Sequence, residues 1–410
     1  MTLQDVLAVG ALVVALLALP SVWISSRAAK KSSGTETFLA HLRSLRETQS
    51  SLTTRVLEQS PQNWRVSGIP MLARAEWIPS VPFDLEDLVI DWRAGDDGQT
   101  VDRARRASAR VLSSLQIAPI SRYSDALVQI AGMTGLFDGT IYRLIEVDLK
   151  TSAKRMTFTR SSYFSYLDTC EILTFEADRR RATGKKVDGR GTLRRELGDP
   201  FDLRNRVTSL GINTLTMRVE GDHAGFFLHR RDPNRVVNNS SLLGLVPAGE
   251  FTPSDVSNEA FVNDLDIWRN IMREYAEEFL GVDDAQGRGG RWIDYAGASP
   301  YRDLERARVN GTLRVKVLGL GIDPVAWKPE LLTVCLIEAV EFDAIFAPVL
   351  ARNDEGTILM GNGRDGLPFD ARTVAQYCAE RTISPTAKAS LQLAWKFRTE
   401  LGLHKERPKP

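Results

Sequence analysis

Three glutamates within five positions, Glu274, Glu277 and Glu278, follow Arg273 in the run REYAEE. Offsets of three and four place such side chains on one helical face. Carboxylates gathered there repel one another unless a cation sits among them. Hard divalent ions such as Mg²⁺ (or Mn²⁺) take carboxylate oxygens and keep positions open for water and a substrate phosphate. Arg273, four residues before Glu277, could orient the group. The plainer alternative is a charged solvent face, the usual meaning of a Glu-rich helix.

The helix carrying these residues is read over Asp264 to Val282, DLDIWRNIMREYAEEFLGV. Ahead of it, INTLTMRVE and HAGFFLHRRD flank Gly221-Asp222 and read as a hairpin. LLGLVPAGEF follows, ending in Pro247-Ala248-Gly249-Glu250. His229, Arg230 and Arg231, at the end of the second hairpin strand, could reach a phosphate or simply form a strand-end turn. Beyond the helix, GTLRVKVLGLGIDP and ELLTVCLIEAVEF read as two strands, the second nearly all apolar and therefore central. DARTVAQYCAER and TAKASLQLAWKFRTEL read as a closing helix pair.

This arrangement resembles the Nudix hydrolases, whose box runs Gly, five residues, Glu, seven residues, then Arg-Glu-aliphatic-x-Glu-Glu-x-Gly-aliphatic. Pro247-Ala248-Gly249 looks like the Gly end of that box, and Arg273 to Glu278 like its catalytic helix. The resemblance implies that Glu274, Glu277 and Glu278 hold divalent metal on a diphosphate, with backbone contributed around Gly249. The metal would neutralise the diphosphate and activate water. A further carboxylate beyond the box is also implied, with Glu338 and Glu341 as candidates. Three apart on a strand, they face opposite sides. The implied fold, over Ile212 to Leu403, is an α/β/α sandwich around a mixed sheet.

Three departures loosen the box. Gly249 and Arg273 are 24 positions apart rather than 14. Leu265, between Asp264 and Asp266, stands where the box has its first Glu. EEFLGV is one residue longer than the usual ending. More specifically, RSSYFSYLDTCEILTFE, DPFDLRNRV, VPAGEF and DIWRNIMREYAEEFLG resemble a module of actinobacterial regulator-type proteins, where it follows a helix-turn-helix domain.

A membrane helix is expected in that place instead. Val6 to Ser26 carries no formal charge over 21 residues, and about 20 apolar residues cross a bilayer as a helix. Trp23 suits an interfacial ring, and Arg27, Lys30 and Lys31 follow the run, which keeps the flank and the remaining chain cytoplasmic. A cleaved signal would want its positive charges ahead of the run. The expectation is a single-pass cell-membrane protein. Next, Phe38, Leu42, Leu45, Gln49, Leu52 and Val56 repeat 4-3-4-3-4. That seam could pair two chains as a homodimer stalk over residues 38–56, or pack a lone helix on its own domain.

The middle of the chain reads as mixed. Asp102 to Leu115 is an Arg-rich helix with a solvated face, and Ile141 to Leu149 a strand. FTRSSYFSYLDTCEILTFEADRR reads as an aromatic-rich helix and Ala177 to Gly191 as a surface loop. The expected layout is an anchor over 1–33, a stalk over 34–63, an α+β region over 64–200 and a Nudix-like α/β (α+β) domain over 201–410.

Composition agrees with a globular chain and removes other classes. Fifty-three Lys+Arg balance 52 Asp+Glu, so a nucleic-acid partner is not expected, because counterion-release binding needs concentrated positive charge. The three cysteines and four histidines show no metal-ligand spacing. The functional expectation is metal-dependent binding, with hydrolysis in prospect, of a nucleoside diphosphate-type ligand. The alternative is a catalytically weakened sensor signalling to a partner or through an anchored dimer.

Overall fold

The computed structural model describes residues 33–95, 98–115, 117, 119–231, 242–282, 293–346, 356–359 and 365–403. The expected anchor at Val6 to Ser26 and its basic flank lie outside them. Among the described residues, no helix is long and apolar enough to cross a membrane.

Helix α1 (Ser33–Gln59) opens the described chain. Its apolar seam is buried in the chain's own core, with Phe38, Leu42, Leu45, Leu52 and Val56 each at most 5% exposed. Phe38 packs its ring 5.0 Å from Phe175 and 6.1 Å from Tyr123. Beside it, His41 Nδ1 lies 2.7 Å from the Asp178 carboxylate, and Ser44 and Arg181 donate to the same group. Burial alone would raise the Asp178 pKa, but the bonds from His41 and Arg181 outweigh it and hold the carboxyl below its usual range. The lone-helix reading of the seam is therefore what the fold uses. A second chain could pair through residues 38–56 only by exposing them.

Short strands β1 (Phe83–Asp84) and β2 (Val89–Trp92) come next, followed by α2 (Gly98–Ser113). β3 (Thr140–Asp148) and β4 (Arg155–Ser162) pair antiparallel, and β2 joins β4 in parallel. The expected helix beginning at Phe158 is a strand for its first residues, buried over Met156 to Thr159 in the middle of the three-stranded sheet. Ser162 then caps helix α3 (163–182), accepting from the Ser165 amide at 3.4 Å. α3 runs further than expected. Ala177 and Asp178, read as the start of a loop, are fully buried.

The chain then builds a mixed sheet from β5 (Gly211–Glu220) and β6 (His223–Phe226), turning at Gly221 with φ 58°. The hairpin partner splits after Phe226. β7 (Leu228–Arg231) leaves to pair with β8 (Leu243–Leu245), and β9 (Ala248–Glu250) returns antiparallel to β5. Helices α4 (Asn258–Asn263), α5 (267–279) and α6 (Tyr301–Val309) follow. β10 (Leu313–Ile322) and β11 (Pro329–Glu338) form the long central pair, with β11 parallel to β5. After α7 (Ala339–Phe346), β12 (Gly356–Leu359) pairs with β7 and β13 (Leu367–Pro368) with β6. Helices α8 (Ala371–Ala379) and α9 (Pro385–Lys396) close the chain. The strand order is β1-β10-β11-β5-β6-β13, with β9 beside β5.

Alternation along β5 and β11 feeds two cores. Ile212, Leu331, Cys335 and Ile337 join a cluster with Ile271, Tyr275 and Phe342. Leu215, Met217, Leu332, Val334 and Leu336 join another with Ala387, Leu391 and Ala394 of α9. Helices thus cover both faces of the sheet. The first cluster also contains Phe38, Leu112, Phe158 and Phe175, so the hydrophobic core is continuous across the expected boundary at residue 200.

Candidate functional site

Helix α5 starts later than its sequence suggests. Asp266 is its cap, accepting from the amides of Trp268 at 2.8 Å and Arg269 at 3.2 Å. Asp264 instead ends α4 and turns into the interior, 0% exposed. There its carboxylate accepts the Ser254 amide and the Tyr295 hydroxyl, each at 2.7 Å, and lies 3.3 Å from the Arg273 guanidinium. Arg273 also donates to Tyr295 at 3.0 Å, to the Thr252 carbonyl at 2.6 Å and to Asn270 at 2.9 Å. Burial would lower its pKa, but Tyr295 and Asp264 more than offset that and hold it above the ordinary value. Asp264, nine residues before Arg273, is thus its carboxylate partner, whereas Asp266, seven before, serves as the helix cap. The partners of Arg273 in this clasp are Asp264, Tyr295, Thr252 and Asn270.

The other end of α5 meets β9. A Cβ on Gly249 would stand 2.0 Å from Cδ and Oε1 of Glu274, so only glycine leaves room for that carboxylate. The Ala248 amide donates to Glu278 Oε2 at 2.9 Å. Two of the three glutamates thus converge on consecutive residues of one short strand, and Glu277 stands half-buried beside them. Glu274 and Glu278 are each 6% exposed. Over Tyr275–Phe279 the helix widens into a π-turn, with the Leu280 amide bonded back to the Tyr275 carbonyl at 3.2 Å. Tyr275 anchors the turn to the sheet, its hydroxyl 2.7 Å from that of Thr216. Among the described residues, no group of three or more His, Cys, Asp or Glu side chains is placed so that it could hold a metal ion, so Glu274, Glu277 and Glu278 are not brought together as a three-carboxylate set.

The remaining candidates lie elsewhere. His229 is buried in β7 between β8 and β12, while its neighbour Arg230 is exposed and the Arg231 backbone pairs with Gly356. β7 and β8 belong to a separate three-stranded sheet, in which Leu228 pairs with Leu245 and Arg230 with Leu243, so the His229–Arg231 end runs away from β9. Glu338 is the exposed last residue of β11. Glu341 is not on that strand. It sits in the first turn of α7, 3.3 Å from the Thr312 hydroxyl and 3.9 Å from Arg306. The opposite-faces expectation for this pair therefore fails, because the chain becomes helical at Ala339 with no Gly or Pro to mark the change.

One group of charged residues was not singled out from sequence. Lys328, Glu250 and Glu330 are all buried, and Lys328 forms ion pairs with both carboxylates. Ser209 donates to Glu250 at 2.5 Å, and Asn213 to Glu330 at 2.7 Å. Nearby, Glu171 accepts the Tyr166 hydroxyl at 2.9 Å. Burial pushes Glu171 up to about 8 and Glu330 up to about 7, with Tyr166 and Lys328 respectively pulling the other way. Glutamates in an unfolded chain titrate near about 4.3. Stability from these raised groups is therefore full below that value and is lost as pH rises through about 7 to about 8. Urea unfolding should show a decline on the order of 1–3 kcal/mol between about pH 5 and 8. Glu171→Gln should flatten its alkaline part; an unchanged slope in that variant would assign the titration to other groups.

Compared with known proteins, the chain matches no family model and no curated sequence.

Proposed function

We propose that this chain is a Nudix-like protein that binds a nucleoside diphosphate-linked ligand through Mg²⁺ or Mn²⁺, with hydrolysis of the diphosphate as the candidate reaction. The observation that carries this reading is the fit of the Glu274 carboxylate into the space that Gly249 leaves open. The Ala248 amide orients Glu278 from the same strand. Two oriented carboxylates suit Mg²⁺, which keeps several waters and is usually held by one or two carboxylates plus substrate phosphates. Glu277, less buried, would face the ligand. The ion would neutralise the diphosphate and lower the pKa of a bound water. The finer fold assignment, a Nudix-like α/β/α sandwich, is supported by helices on both faces of the mixed sheet and by β9 lying against α5. On the same reading, Val6 to Ser26 anchors the chain to the cell membrane as a single pass, with the soluble part cytoplasmic.

A second reading, a ligand sensor without turnover, draws on one observation. α1 shares a hydrophobic cluster with α5, so the segment next to the proposed anchor and the site belong to one packed body.

The full chain separates the two. Adding Mn²⁺ should raise its melting temperature. Glu278→Gln should weaken Mn²⁺ binding at least about tenfold, the smallest loss seen when even the outer partners of a metal ligand are removed. A screen of dinucleotides, nucleotide sugars and ADP-ribose with Mg²⁺ then distinguishes turnover abolished in Glu277→Gln and Glu278→Gln from binding without turnover. A melting curve that ignores both ions would sink both readings.

A further inference from the structure

β9 is three residues long, and both sides of it are engaged. On one side Gly249 and Ala248 meet Glu274 and Glu278 of α5. Glu250, the next residue, turns to the other side. Its carboxylate is held by Lys328 and by Ser209, the latter at 2.5 Å. Lys328 Nζ also lies 3.2 Å from Glu330, longer than its contact with Glu250, and Glu330 has its own donor in Asn213 at 2.7 Å.

The adjoining strand repeats the pattern. Gly211 of β5 pairs in register with Glu250, and its neighbour Ile212 with Gly249. A Cβ on Gly211 would stand 1.9 Å from Glu330 Oε2 and 2.9 Å from Lys328 Nζ. Two glycines on neighbouring strands therefore thin the sheet at one spot, Gly211 towards the Lys328 cluster and Gly249 towards Glu274. A three-residue strand has few ladder bonds to set its position. Its side-chain attachment then matters in proportion, and a buried charged pair is a stiff one.

We propose that Lys328 is a positioning residue for the proposed metal-binding glutamates, acting through Glu250 to fix the backbone on which Glu274 and Glu278 rest. This rests on the metal-binding reading above. Lys328 touches neither ligand nor ion. It sets where β9 lies, and β9 sets the two carboxylates.

The test uses the full chain and Mn²⁺ alone, followed by the electron paramagnetic resonance of the bound ion. Glu250→Gln keeps the size of the side chain and its Ser209 bond but weakens the tie to Lys328. Glu330→Gln neutralises a carboxylate of the same cluster and leaves the Lys328–Glu250 pair in place. The expected result is a tenfold or larger loss of Mn²⁺ affinity and an altered resonance in Glu250→Gln, with Glu330→Gln within threefold of wild type. Lys328→Met should follow Glu250→Gln where it folds. Equal losses in the two glutamine variants would mean general loosening of the core and would overturn the proposal. So would wild-type Mn²⁺ affinity in Glu250→Gln. A wild-type chain that binds no Mn²⁺ would overturn the metal reading and this inference together, whereas binding unaltered by Glu250→Gln removes the inference alone.

Discussion

Asp264→Ala should destabilise the chain by about 3–5 kcal/mol, the cost of breaking a buried ion pair by removing one partner. The substitution leaves the Arg273 guanidinium, 4% exposed, without its carboxylate. It also strands the Tyr295 hydroxyl and the Ser254 amide, both of which donate to Asp264. The Thr252 carbonyl and Asn270 remain as acceptors for Arg273, but neither carries charge. Asp266→Ala is the control. It removes only the cap of α5 and should cost about 1 kcal/mol. Urea unfolding of the two variants side by side decides the matter, and equal losses would show that the Asp264–Arg273 clasp is not what ties α4 to α5.

Gly249→Val should abolish measurable Mn²⁺ binding, a loss of at least about a hundredfold if the ion is held as proposed. Even the first added carbon would overlap the Glu274 carboxylate at 2.0 Å. Real Cβ contacts do not occur at that distance, so either Glu274 swings away or β9 shifts, and a shift would break the Ala248 bond to Glu278 as well. The branched side chain excludes a small accommodation. Titration of the variant with Mn²⁺, alongside its melting curve, separates loss of the site from loss of the fold. Retained affinity in a folded variant would mean that Glu274 is not a ligand.

Much of the fold was legible because periodicity and turn chemistry agree along the chain. The Gly221-Asp222 turn, the apolar run of β11 and the two closing helices appear where their patterns put them. That Glu274, Glu277 and Glu278 lie on one helix was legible for the same reason. Asp264 was harder. Counting back from Arg273 assumes one continuous helix, but Asp266 starts a new one, and the preceding residues double back from α4. Lys328 and Glu250 could not be paired at all. They meet because β5 draws both β9 and β11 alongside it, and no local pattern records which distant strands will be neighbours. Glu341 was misplaced for a local reason, because an apolar run can pass from strand to helix without a breaker.

The widened turn at Tyr275–Phe279 bears on how much change in length this helix can absorb. Just beyond that turn, Gly281 adopts a left-handed φ of 60°. Its amide bonds to the Glu277 carbonyl at 3.1 Å and the Val282 amide to Ala276 at 2.9 Å, closing the helix as a glycine terminus does. A π-turn takes up one residue more than an α-turn, so that residue is looped into the helix wall rather than pushed down the chain. Deleting one residue there should therefore be absorbed by the turn reverting to a regular one, with the terminal glycine still closing the helix.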